Sequence, residues 1–224
     1  MNKLLLSALL LFAMNMVYGQ SACSKYYPFT QGTVSEITSY DKKGKVAAVI
    51  EYTVKASTDK KATIINRMVD SKGELITESE FDIICTGDGV EIDIKSMANP
   101  QLLTQYKDME TTISGSDVVL PNNMKKGDEL PDAEMFISVN MGGINMNIDV
   151  MMLDRKVVGK ESVTTPAGTF DCIVIEYQSK IKMGLEKKGS AKQWIAEGVG
   201  MVKQEDYNKK GKVTSSSMLT AFKK

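Results

Sequence analysis

The sequence predicts a mainly β protein of antiparallel strands with one short helix. Three observations carry that expectation. Apolar residues recur with a period of two through most of the chain, turns rich in Gly, Asn and Asp separate the runs, and only one stretch has helical spacing.

The elements follow in order. Val46, Ala48, Ile50, Tyr52 and Val54 alternate with polar or small neighbours, and after the turn Ser57-Thr58-Asp59-Lys60 the pattern resumes over 61–70. Leu75, Phe81, Ile83 and Cys85 share one face of the next strand, with Glu78, Glu80 and Asp82 on the other; Val90, Ile92 and Ile94 alternate with charges. One wet face per strand is the antiparallel habit. The helix is expected over 99–109, where Asn99 can cap, Pro100 takes the first helical position, and Leu102, Leu103 and Tyr106 share a face. Residues 115–133, with Pro121, Gly127 and Pro131, are expected as the longest loop, set between two halves of one sheet.

The clearest hairpin covers 135–152. Gly142-Gly143 suits a primed two-residue turn, which needs φ > 0. That turn pairs Met141 with Ile144, Val139 with Met146 and Ile137 with Ile148, so Met135, Ile137, Val139, Met141, Ile144, Met146, Ile148, Val150 and Met152 meet on one apolar face. Residues 170–183 are apolar on both faces, which places that strand centrally and Cys172 in the core. Final strands are expected from Gln193 to Asp206 and from Lys212 to Phe222. The segment 40–46 recurs almost unchanged at 207–213, and Lys-Lys-Gly also occurs at 125–127 and 187–189. These read as solubilised hairpin tips in which Gly takes the left-handed position, or as a basic ring for anionic lipid or polysaccharide.

The N-terminus reads as a cleavable export signal over residues 1–19. Lys3 is followed by the apolar run Leu4–Met16, with Val17 and Gly19 at the small-residue positions before Gln20. Residues 20–224 are then one β-rich domain, exported to the periplasm or beyond. Anchoring as a lipoprotein through Cys23 is the weaker alternative, since Gln20 stands where an aliphatic residue is usual. Lys3 is the signal's sole charge, so the chain from Gln20 carries 27 basic and 28 acidic side chains. That balance argues against nucleic acid as a partner. No later apolar run reaches the ~18 residues of a transmembrane helix.

Little in the sequence points to catalysis. It has no histidine, which removes Ser-His-Asp and Cys-His machinery and His-bound zinc. Carboxylate pairs such as Glu78/Glu80 and Glu91/Asp93 lie on wet strand faces. The expectation is a non-enzyme with no cofactor and no metal. Of fifteen methionines, twelve follow residue 20, and they gather on the 135–152 hairpin. They read as core packing, as an adaptable surface for an apolar ligand, or as a thioether site for Cu(I), which their spacing along a face disfavours.

Three stretches carry a family resemblance. Tyr26-Tyr27-Pro28-Phe29-Thr30-Gln31-Gly32-Thr33, Thr165-Pro166-Ala167-Gly168-Thr169-Phe170-Asp171-Cys172 and Trp194–Lys203 resemble motifs of the DUF3108-like exported bacterial proteins. The resemblance implies a long curved antiparallel sheet or half-barrel, similar to lipoprotein-carrier folds of the bacterial envelope. It also implies a Cys23–Cys85 disulfide, which agrees with Cys172 being buried and unpaired. The functional expectation is therefore a binding protein whose curved sheet shelters a hydrophobic ligand or acyl chain against the nine hairpin residues named above. The alternative is an envelope interaction module with a self-filled core.

Overall fold

The computed structural model of the protein describes residues 23–98, 103 and 105–224. The predicted signal peptide lies outside them, as do residues 99–102 and 104 of the predicted helix; Leu103 and Gln105 are helical, whereas 106–109 form a turn and a bend. Thirteen strands form one antiparallel sheet: β1 (Val34–Asp41), β2 (Val46–Ser57), β3 (Lys61–Asp70), β4 (Leu75–Cys85), β5 (Gly89–Ile92), β6 (Glu110–Gly115), β7 (Val118–Pro121), β8 (Ala133–Met141), β9 (Ile144–Thr165), β10 (Gly168–Met183), β11 (Leu185–Ala196), β12 (Gly200–Asn208) and β13 (Val213–Lys223). A 3-10 turn, Ile94–Met97, interrupts them among the described residues.

The spatial order is β6-β8-β9-β10-β11-β12-β13-β1-β2-β3-β4-β5-β7. The edge strands β6 and β7 are joined by Ser116 and Asp117 alone. Three Cα steps of ~3.8 Å leave the two edges at most about 11 Å apart there. The sheet therefore curls into a half-barrel, and residues from both halves, including Ile64, Phe81, Ile92, Ile137, Ile148, Ile173 and Ile175, share one inner core.

Alternation and turn chemistry explain the regular parts. The 135–152 hairpin pairs Met141 with Ile144, Val139 with Met146 and Ile137 with Ile148, and Gly142 and Gly143 have φ of 65° and 96°. The repeated tips are built alike: Asp41, Asp70 and Asn208 each accept from the backbone N–H two and four residues on, at 2.8–3.1 Å. The backbone N–H groups of Lys45 and Lys43 lower the Asp41 carboxyl from its ordinary range. β10 is covered on both faces, with Ile173 and Ile175 inside, and Cys172 and Val174 packed with Trp194 and Val202 outside.

Four expectations are corrected. Residues 115–133 contain β7, which pairs with β5, because Val118 and Leu120 alternate over too few residues to stand out. The run 193–206 is broken by a turn at 197–199, where Gly198 and Gly200 take φ of 69° and 91°. Lys187-Lys188-Gly189 is no tip but lies within β11. Leu75 is 52% exposed and Ile76 is buried in its place, because a bulge between Met68 and Val69 shifts the register.

Candidate functional site

Two bulges in β9 shape the interior behind the 135–152 hairpin. Lys156 pairs with Glu176 and Leu153 with Gln178, so Asp154 and Arg155 together oppose Tyr177. Asp154 is the only non-glycine described residue with positive φ, at 53°, and its N–H donates to Asp132 Oδ1 at 2.9 Å. The extra residue switches which parity faces inward: Ile148 and Met152 before it, Arg155 and Val157 after it. Arg155 is fully buried. Its guanidinium donates to the carbonyls of Pro131 (2.6 Å) and Val119 (3.3 Å). β9 and β7 lie near opposite ends of the sheet, so this side chain ties the half-barrel across its seam.

Below the bulge lies a cleft of about 520 Å³. This is within the ~300–1,000 Å³ range of small-molecule sites. One wall is apolar, with Met135, Ile148, Val150 and Met152 from the hairpin beside Tyr177, Ile181 and Met183. The opposite wall, from β11, β12 and β13, is polar: Gln193, Gln204, Asp206 and Ser215. Strand register orders these groups in rows. Tyr177, Ala191, Asp206 and Ser215 form one row across four strands, and Ile175, Gln193, Gln204 and Ser217 form the next.

The nine predicted ligand-facing residues divide three ways. Met135, Ile148, Val150 and Met152 line the cleft. Ile137 and Val139 are buried in the inner core, and Met146 is half-buried against it. Met141 and Ile144 are corrections: they are 44% and 74% exposed at the hairpin tip, which extends past the neighbouring β10. Tyr106 closes part of the hairpin, its hydroxyl within donating reach of the sulfurs of both Met146 (3.8 Å) and Met183 (3.7 Å).

The polar wall is a hydrogen-bonded chain that periodicity alone does not reveal. Gln193 Nε2 donates to Gln204 Oε1 at 2.7 Å, Gln204 Nε2 to Asp206 Oδ1 at 3.1 Å, and Ser215 Oγ to Asp206 Oδ2 at 2.8 Å. Burial pushes the Asp206 carboxyl up from its ordinary range, against the pull of the Ser215 and Gln204 donors. A carboxyl raised on folding contributes stability below its unfolded pKa of about 3.9, and that contribution is lost as pH rises through the folded value. Asp206→Asn, which cannot ionise, is therefore expected to melt above the unmodified protein at pH 7, with the gap closing at pH 4. A variant melting lower at pH 7 would overturn this account of the wall.

Gln204 also faces a smaller cavity of about 110 Å³, too small for an acyl chain, between Tyr27, Tyr52 and the inner faces of β1–β4. Thr33 Oγ1 and Ser96 Oγ line it without a hydrogen-bond partner among the described residues. A third, polar cleft of about 660 Å³ beside β4 and β6 contains Lys61 and Asp82, already paired at 3.0 Å. No group of three metal-ligating side chains occurs among the described residues, nor any helix long and apolar enough to cross a membrane.

Covalent and surface features complete the frame. Cys23 and Cys85 form a disulfide, with Cα atoms 5.5 Å apart. Cys172 is a buried free thiol, pushed up to about 11 chiefly by burial. On the outer face Trp194 donates to Glu161 Oε2 at 2.7 Å, beneath Lys203 and Lys192 at 4.6 and 5.1 Å from its ring centroid. The Trp194–Lys203 motif thus serves outer packing and the turn into β12.

Fold and cleft together define a curled antiparallel half-barrel with a ligand-sized interior. The chain belongs to the DUF3108-like family, whose model matches residues 30–219. A presumed exported protein with a YmcC-like fold from Bacteroides fragilis is similar in structure, with a TM-score of 0.80 at 22% identity over 90% of this chain and 100% of that one. A presumed lipoprotein from Parabacteroides distasonis gives 0.76 at 23% identity, over 90% and 99%. No curated protein matches the chain.

Proposed function

We propose that this is a non-catalytic protein of the bacterial envelope that holds a hydrophobic small molecule, an acyl chain being the simplest case, in the cleft behind the 135–152 hairpin. The supporting observation is the cleft itself: about 520 Å³, with Met135, Ile148, Val150 and Met152 forming an adaptable apolar wall. The exported and lipoprotein descriptions of the two structural neighbours support the compartment.

Native mass spectrometry after gentle purification, with uptake of a fluorescent fatty acid, tests the reading. The expected result is a bound mass or saturable uptake, weakened by Val150→Trp, which fills the cleft. A clean apo mass with no uptake would sink it. That outcome would favour an interaction module instead, for which Ile144 and Leu185 (83% exposed), at neighbouring hairpin tips, would supply the contact.

A further inference from the structure

The cleft contains a carboxylate with no counter-cation. Asp206 is held by the neutral donors Gln204 and Ser215, and no lysine or arginine forms an ion pair with it among the described residues. Arg155 lies in the same row but three strands away, with Tyr177 and Ala191 between them. At ~4.8 Å per strand that is about 14 Å, and the guanidinium is already committed to Pro131 and Val119. Of the two lysines at the cleft, Lys188 pairs with Glu186 at 3.1 Å. Lys187 is four residues along β11 from Ala191, the partner of Asp206, or about 13 Å. Neither lysine forms an ion pair with the acid.

The apolar wall runs outward from the row of Asp206: Ile181, paired with Val150 and Lys187, and then Met183 lead to exposed residues, while the facing side of this outer stretch carries Ser190, Asn208, Lys187 and Lys188. From Tyr177 to Met183 the strand advances six residues, about 20 Å. Asp206 is half-buried on the wall of the cleft, and a carboxylate withdrawn from water there gains most from a cation placed beside it. We infer that the ligand is an amphiphile with a cationic amine head, seated on Asp206 with Gln204 and Tyr177 around it, its tail running outward along Met152, Val150 and Ile181. This rests on the cleft-binding reading and adds the head-group class.

The test is displacement of the neutral dye N-phenyl-1-naphthylamine from the full chain by dodecylamine, dodecanol and dodecanoate at pH 7. Dodecylamine is expected to displace at a concentration at least tenfold below dodecanoate. Asp206→Asn is expected to erase that preference. Equal displacement by amine and carboxylate in the unmodified protein, a comparison needing no variant, would overturn the inference while leaving the cleft reading intact. So would an amine preference that survives in Asp206→Asn. Absence of binding by the dye and all three amphiphiles would overturn both.

Discussion

Arg155→Ala is expected to lower the thermal midpoint by about 6–12 °C, a loss of at least about 3 kcal/mol for a domain of this size. Three terms set the figure. Truncation leaves the carbonyls of Pro131 and Val119 without their donor, at roughly 1–3 kcal/mol for each buried group left unpaired. It opens a cavity comparable to those that cost about 2–5 kcal/mol in large-to-alanine changes. Opposing both, it relieves the burial of a cation that has no carboxylate at hydrogen-bond distance and whose Nε has no partner. Burial already depresses that guanidinium below its ordinary pKa. The first two terms win because the side chain joins strands from opposite ends of the sheet, so its loss loosens the seam as well as the site. Arg155→Met keeps most of the volume and isolates the hydrogen bonds; it should fall between the two. A methionine variant as stable as the parent would show that the seam does not depend on the guanidinium.

Reducing or removing the Cys23–Cys85 disulfide is expected to cost roughly 4 kcal/mol on the chain-entropy model, given a sequence separation of 62. That corresponds to about 8–16 °C in thermal midpoint. The bond also fixes a segment that closes the interior. Cys23 precedes buried Tyr26, Lys25 N–H donates to Asn122 Oδ1 at 2.8 Å, and Tyr27 packs on Gly200 closely enough that a Cβ there would meet its ring at 3.1 Å. Melting the protein with and without reductant, alongside a Cys23→Ala/Cys85→Ala variant, checks this. Unchanged midpoints in both comparisons would show that the segment is held by packing alone. Cys172 provides an internal control: buried and with its thiol pushed up to about 11, it should stay unmodified by thiol reagents until the protein unfolds.

What was legible in the sequence divides along physical lines. Period-two alternation and turn chemistry are local, so the 135–152 hairpin, its register and the Asp41, Asp70 and Asn208 turns could be read from their own residues. β7 was not, since four residues that end in Pro121 and run into Asn122-Asn123 carry too little pattern. Nor was the true extent of the apolar face. Alternation assigns Met141 and Ile144 to the same side as Met135, but only the neighbouring strands decide where that side stops being covered. The polar wall is the larger omission. Gln193, Gln204 and Asp206 look like solvated positions on ordinary strands, and curling of the sheet turns them inward.

By itself, then, the sequence determined a β-rich antiparallel chain, its best hairpin and its repeated turns, because each follows from side-chain period and backbone φ within a few residues. Its family motifs pointed to the half-barrel and to the Cys23–Cys85 pair. The tertiary structure alone decided that Asp154 bulges, that Arg155 thereby crosses the seam, and that Asp206 faces a methionine-lined cleft. Those three depend on register shifts and on strands far apart in the chain meeting around one interior, and no local pattern encodes such meetings.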